Sequence, residues 1–217
     1  MSHSTKTRII AHRGFWQDDS GIIAEPNSRK ALVGAFERGW GVETDVRDLD
    51  GELVISHDMP RSSDDLVSLA ELVEASIVGA SPVALNIKSS GLGPRLREEV
   101  PEECWKNWYL FDMPVCDLVA FERLGLAYYT RVSDVEHELV GLDSARGVWV
   151  DGFYSEFRDM DLLARLLESG KELCMVSPEL HKRDGLSETW ETWRDFSKWE
   201  GWSICTDLPV RAEELFD

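Results

Sequence analysis

Short apolar runs rich in β-branched and aromatic residues recur along the chain, and most are followed by a segment whose apolar positions have helical spacing. The runs are Arg8–His12, Val42–Val46, Val83–Ile87, Trp108–Phe111, Leu126–Thr130, Gly147–Val150, Leu173–Val176 and Trp202–Cys205, eight candidate strands. Ser28 is placed to cap a helix with Ala31, Leu32, Ala35 and Phe36 on its inner face and Gly39 at its end. The same spacing returns at Leu66, Leu69, Leu72 and Val73, then at Val115, Leu118 and Val119, and again at Met160, Leu163, Leu166 and Leu167. Asp50-Gly51 reads as a tight turn before Leu53-Val54-Ile55, a short β-hairpin insert after the second strand. Strands alternating with helices imply parallel pairing and right-handed crossovers. Eight repeats favour a compact (β/α)8 TIM barrel of the α/β class over an open doubly wound sheet, as one domain over residues 1–217, with short loops and one or two minimal outer helices. Trp190 and Trp193, three apart, read as the packed face of another helix.

The chain has 217 residues, with 43% hydrophobic and 29% charged, ordinary for a soluble globular domain. The formal charge of −18 changes the picture more. It repels nucleic acid and anionic membranes at long range, so a nucleic-acid partner is not expected, and a phosphate ligand needs a local positive pocket. The polar start Met1–Thr7 has no secretory pattern, and no apolar run approaches the roughly 20 residues of an integral membrane segment. Cys104, Cys116, Cys174 and Cys205 are scattered without metal or disulfide spacing and read as reduced, mostly structural thiols, so the expected location is cytoplasmic. The oligomeric state is left open.

Polar residues concentrate where the candidate strands end. These are His12-Arg13-Gly14, Glu43 and Asp45, His57-Asp58, Asn86 and Lys88, Asp112, Arg131, Asp151, Glu179 and His181, and Thr206-Asp207. In a (β/α)8 barrel such positions converge on the face where active sites form. Glu43 and Asp45, two apart on a strand, share one side. Paired buried carboxylates repel, and a hard divalent cation resolves the conflict. The alternative, two solvated acids, suits an edge strand, whereas this one reads as central. His12 and His57 can give or take a proton near neutral pH, although a lone strand-end histidine is more often a structural hydrogen-bonder. Arg13 and Lys88 supply positive charge for a phosphate or neutralise the neighbouring acids, two compatible roles.

The run His12-Arg13-Gly14, Glu25-Pro26-Asn27-Ser28, Glu43-Thr44-Asp45-Val46, Asp50-Gly51 and His57-Asp58, with Asn86-Ile87-Lys88 and the ending Thr206-Asp207-Leu208-Pro209, resembles the glycerophosphodiester phosphodiesterase family. The resemblance spans roughly residues 8–209 and is most specific in its N-terminal block. It implies a (β/α)8 barrel that cleaves a small phosphodiester with a divalent cation, magnesium first and calcium as the other candidate. It assigns Glu43 and Asp45 as metal ligands, His12 and His57 as the acid–base pair, and Arg13 and Lys88 as phosphate holders. It also implies that a hydroxyl of the substrate's glycerol attacks phosphorus first, giving a cyclic phosphate.

The sequence departs from the family at several positions. Asn86 stands where the family usually has an acid; it retains a ligating carbonyl oxygen, and Asp112 from the next strand is the candidate substitute. Glu25 is displaced by one residue, and Asn27 and Ser28 read as the start of the first helix. Glu179 and His181 follow an atypical seventh strand and are candidates for specificity, or a simple loop. Two further readings compete: a catalytically degenerate barrel that binds a phosphate ester without turnover, supported by Asn86, and a sugar-phosphate isomerase, which the order of motifs fits poorly.

Overall fold

The computed structural model describes residues 8–77 and 81–216, so the polar start Met1–Thr7 lies outside the described residues. The described residues group into two compact units, those of 10–128 and those of 129–216 together with 8 and 9.

The first unit carries, in chain order, the last three residues of β1 (Arg8–His12), then β2 (Gln17–Asp18), β3 (Gly21–Ile22), α1 (Arg29–Glu37), β4 (Gly41–Leu49), β5 (Glu52–Ile55), α2 (Leu69–Ile77), β6 (Val83–Ile87), α3 (Gly93–Glu99), β7 (Trp108–Phe111) and α4 (Val115–Leu124). Its parallel strands run in the order β7-β6-β4-β1. The register sets His12 opposite Glu43 and Asp45 opposite Asn86, which places the polar strand ends side by side. β5 folds back antiparallel on β4 through Asp50-Gly51, both at positive φ (+51° and +87°), the conformation of a two-residue hairpin turn. The small β2–β3 hairpin was not visible in the alternation, because two-residue strands carry no period.

The start of α1 follows from its sequence. The Ser28 side chain accepts from Ala31 N, Gly39 sits in the left-handed region after the last turn, and Ala31, Leu32, Ala35 and Phe36 are the buried face, as their spacing predicts. In α4 the expected inner face shifts. Val115 and Val119 are exposed, and the helix buries Leu118 and Phe121 instead. Phe121 is the larger apolar group, and one turn of helix cannot bury both stripes.

The second unit carries β8 (Tyr129–Val132), β9 (Gly147–Val150), α5 (Met160–Glu168), β10 (Glu172–Val176), α6 (Leu186–Trp193), β11 (Trp202–Thr206) and α7 (Pro209–Phe216), with parallel strands in the order β11-β10-β9-β8. The expected strand Leu126–Thr130 starts three residues later. Leu126 and Tyr128 are buried but belong to the approach, where Tyr128 makes a single parallel bridge to Leu110. Among the described residues no helix joins β8 to β9, which is the minimal crossover the short spacing allows. Trp190 and Trp193 are buried, and Phe216 packs against both Trp190 and Trp202. Cys104, Cys174 and Cys205 are buried free thiols, while Cys116 is exposed.

Eight parallel strands (β1, β4, β6 to β11) alternating with helices, with one antiparallel strand added to β4, make this a (β/α)8 fold, as the alternation predicts. No helix among the described residues is long and apolar enough to cross a membrane.

Candidate active site

The candidate residues 12–112 all fall in the first unit, at or just after the C-terminal ends of β1, β6 and β7, in the loop after β5 and, for Glu43 and Asp45, inside β4, which runs on to Leu49 rather than ending at the pair. The turn after β1 aims the first two. Arg13 (φ +56°) keeps the ladder going by donating its N–H to the Glu43 carbonyl at 2.8 Å, and Gly14 (φ +86°) then bends the chain against α1. A Cβ on Gly14 would lie 2.5 Å from the backbone carbon of Ala31, so only glycine fits between turn and helix.

Glu43 and Asp45 are almost wholly buried, at 3% and 1% side-chain exposure, beside three side chains that reach solvent: His12 at 19%, Arg13 at 27% and Lys88 at 21%. Asp45 is the hub. Its Oδ2 accepts from Asn27 Nδ2 at 2.9 Å and lies 3.4 Å from Arg13 Nε, and its Oδ1 lies 3.4 Å from Lys88 Nζ. Lys88 Nζ is also 3.9 Å from Asp112 Oδ2. The His12 ring approaches Glu43, with Nε2 at 3.8 Å from Oε2. Arg13 and Lys88 therefore reach solvent while the buried Asp45 carboxylate lies against both.

Glu43 differs from Asp45. Burial, then the neighbouring Asp45 charge, push its carboxyl from 4.5 up to about 7, against the opposing pull of His12, Arg13 and Lys88. Its Oε2 is buried with no hydrogen-bond partner, and so is the Oδ1 of Asn86 on the neighbouring strand. Unsatisfied buried oxygens are uncommon and call for a counter-group. A hard cation, smaller than a water molecule and partial to oxygen donors, is one that fits. Among the described residues, however, no group of three or more His, Cys, Asp or Glu side chains is arranged to hold a metal ion.

The structure thus brings His12, Arg13, Glu43, Asp45, Lys88 and Asp112 into one chain of contacts and sets Asn86 beside it. The His57 ring pairs with Asp58 at 2.8 Å and is 45% exposed, its carbonyl taking two hydrogen bonds from Arg47. Glu25 is exposed. Glu179 and His181 lie in the second unit. There Glu179 accepts from the Ser177 and Thr206 hydroxyls and from Asp207 N, and His181 Nε2 meets Asp151 Oδ1 at 2.7 Å.

One site residue escaped the sequence reading, which gave Asn27 a helix-starting role. It stands at φ +62°, its side chain donates to Asp45 and accepts from Thr44 Oγ1 at 2.7 Å, and its N–H donates to the Arg13 carbonyl. The available signal was an asparagine immediately before a helix cap, a residue type that tolerates the left-handed region. Asn27→Ala removes partners from two buried groups and leaves alanine at positive φ. It should lower the unfolding free energy by about 2–4 kcal/mol in chemical denaturation. A loss below about 0.5 kcal/mol would show that the bridge contributes nothing.

No protein-family model matches the chain, and no curated protein matches it. Solved structures do. A glycerophosphodiester phosphodiesterase from Agrobacterium tumefaciens aligns at TM-score 0.69 with 16% identity, over 96% of this chain and 100% of its own. A phosphodiesterase from Oleispira antarctica, solved with its product sn-glycerol-3-phosphate, aligns at 0.68 with 18% identity, over 97% and 96%. The tryptophan synthase complex of Pyrococcus furiosus aligns at 0.52 with 12% identity, over 97% and 94%. These likenesses establish the (β/α)8 fold. The same architecture serves different chemistries, so function is argued from the site.

Proposed function

We propose that the protein is a phosphodiesterase that hydrolyses a small phosphodiester, a glycerophosphodiester first among them. The observation that carries this reading is the cluster where the ends of β1 and β6 meet the middle of β4: a histidine against Glu43, and an arginine and a lysine both held by Asp45, with their outer parts open to solvent. The two solved phosphodiesterases of the same fold support it.

In this reading Arg13 and Lys88 hold the phosphate oxygens, the guanidinium as a fork and the ammonium as a point charge. Asp45 keeps both cations in place, and Asn27 keeps Asp45 in place. His12 and His57 are the acid–base pair: one takes the proton of the attacking hydroxyl and the other protonates the leaving oxygen. Attack by the substrate's own glycerol hydroxyl gives a cyclic phosphate that water then opens; attack by water gives the products directly. Phosphorus NMR of a reaction in progress separates the two routes.

A divalent cation, magnesium first and calcium second, is part of the proposal. The orphaned oxygens of Glu43 and Asn86 fit it, and together with Asp45 and Asp112 they are the residues that would hold it. When bound it would neutralise charge on the phosphate oxygens. The second reading, binding without turnover, draws on the other side of the same geometry: Asp45 already has Arg13, Lys88 and Asn27 as partners, and no triad of strong ligands is present among the described residues.

A panel of small phosphodiesters assayed with magnesium, calcium or manganese decides between them. Turnover of a glycerophosphodiester that EDTA reduces by at least about 100-fold, and that added metal restores, is the expected result. Tight phosphate-ester binding with no turnover under any of the three cations would select the degenerate barrel, and full activity in EDTA would reject the metal.

A further inference from the structure

β4 runs past the strands beside it, and Arg47 stands where they end. Ser56 N donates to the Asp45 carbonyl at 2.9 Å, and Lys88 N donates to the Val46 carbonyl at 3.1 Å. Past those bonds the chain has left β5 and β6, and the His57 and Lys88 carbonyls lie outside any strand. A carbonyl without a ladder partner needs another donor or water. Both find Arg47. Its Nε and Nη2 donate to the His57 carbonyl, each at 3.1 Å, and its Nη1 donates to the Lys88 carbonyl at 3.0 Å. Glu43, Asp45 and Arg47 alternate along β4, so one side of one strand carries both buried carboxylates and this guanidinium.

The arrangement uses what is particular to arginine. A guanidinium is a rigid planar fork, and here one edge serves one carbonyl while the remaining nitrogen serves the other. A lysine ammonium is a single point and serves one carbonyl at a time. The two clamped residues need the hold for different reasons. Lys88 is fixed at its tip by Asp45, 3.4 Å away, and Arg47 fixes its backbone. His57 is not held by burial: its ring is 45% exposed, and the Asp58 carboxylate beside it is 94% exposed. It stands near the start of the connection from β5 to α2, in which residues 57–59 and 61–65 are all exposed. The bonds to Arg47 tie it to the strand that carries Glu43 and Asp45.

We propose that Arg47 is a positioning residue that sets the spacing between the His57 imidazole and the Lys88 ammonium. One fork joins the acid–base group to the phosphate-holding group. Its effect on rate rests on the phosphodiesterase reading, whereas the clamp itself does not. Misplacing a reacting group by about 1 Å costs on the order of 100-fold in rate, so a small slip of either carbonyl is enough to matter.

Arg47→Lys keeps the charge and breaks the fork; Arg47→Gln removes both. Each should lower kcat/KM on a glycerophosphodiester by about 10- to 100-fold, with no rescue by lysine. The pH profile should keep both limbs, because both histidines remain, whereas His57→Ala loses one. In a His57→Ala background the loss from Arg47→Lys should shrink by at least about threefold, since the group being positioned is gone. A readout that needs no turnover is the nitrogen–proton correlation spectrum. The Asp58 and Ser89 amides share peptide groups with the two clamped carbonyls, and both signals should move in Arg47→Gln, with lysine restoring at most one of them. Activity of Arg47→Lys within about twofold of the parent overturns the proposal, and so does a fully additive loss in the double variant. A parent that turns over no phosphodiester fails the phosphodiesterase reading instead. The amide signals then decide the clamp alone: movement of both supports it, and unmoved Asp58 and Ser89 amides overturn it.

Discussion

Replacing His12 by alanine should lower kcat on a glycerophosphodiester by about 100- to 10,000-fold while the fold stays intact. The ring stands at the end of β1, is 19% exposed on its side chain and touches Glu43 at 3.8 Å, so its removal opens no core cavity. The unfolding midpoint should move little, as is usual for partly exposed positions away from the packed core. The pH profile is the sharper readout. A single histidine in proton transfer contributes one limb of a bell-shaped kcat/KM curve, and the variant should lose that limb. The same substitution at His57 provides the comparison. That ring is half exposed and paired with Asp58, so a role in catalysis requires the other limb to disappear with it. Activity of a folded His12→Ala protein within about tenfold of the parent would remove the paired-histidine mechanism and leave phosphate binding by Arg13 and Lys88 as the site's remaining function.

How much of this was legible in the chain differs from residue to residue. The parallel strands and the hairpin after β4 were readable because each buried segment is a short apolar run with turn residues at its ends, and Asp50-Gly51 is an unambiguous turn. The β8 boundary was not. Leu126 and Tyr128 are as buried as strand residues, and burial alone does not say which of them joins a ladder. The outward turn of Val115 and Val119 has a similar origin, since the helix had two candidate stripes and Phe121 decided between them. At the site, the parity of Glu43 and Asp45 on one strand puts both on the same face. What parity cannot give is partner choice. Asp45 takes Arg13, Lys88 and Asn27, the last a loop asparagine in the left-handed region, whereas Glu43 keeps an unsatisfied oxygen. Partner choice was equally out of reach at Glu179, read as a specificity candidate or a simple loop, whose carboxylate accepts from Ser177, Thr206 and Asp207.

The asymmetry between the two buried carboxylates sets the pH dependence of stability in the metal-free protein. Glu43 holds its proton up to about pH 7 when folded and releases it near 4.5 when unfolded. Between those values the native state binds more protons than the unfolded state, so stability falls as pH rises from about 4.5 to about 7 and levels off above. The group is fully buried, so solvent screening does not discount the effect, and the full loss is of order 3 kcal/mol. Asp134 acts in the opposite sense. Backbone N–H groups of residues 153–155 hold its carboxyl below 3.8, so its contribution is complete above that value and is lost only on further acidification. The two windows do not overlap, and denaturant unfolding in EDTA from pH 5 to pH 8 isolates Glu43. Glu43→Gln should flatten the curve across that range and make the variant more stable than the parent at pH 8, because a neutral amide replaces a charge that must otherwise be desolvated. Magnesium should raise the parent's stability mainly above pH 7, where the carboxylate is ionised and available as a ligand, and should do little for the glutamine variant. A parent whose stability is flat or rises from pH 5 to pH 7, with a glutamine variant that tracks it, would mean that Glu43 is ionised in the folded protein without a metal. The opposing pull of His12, Arg13 and Lys88 would then outweigh burial at this position, and the unsatisfied oxygen would no longer argue for a divalent ion.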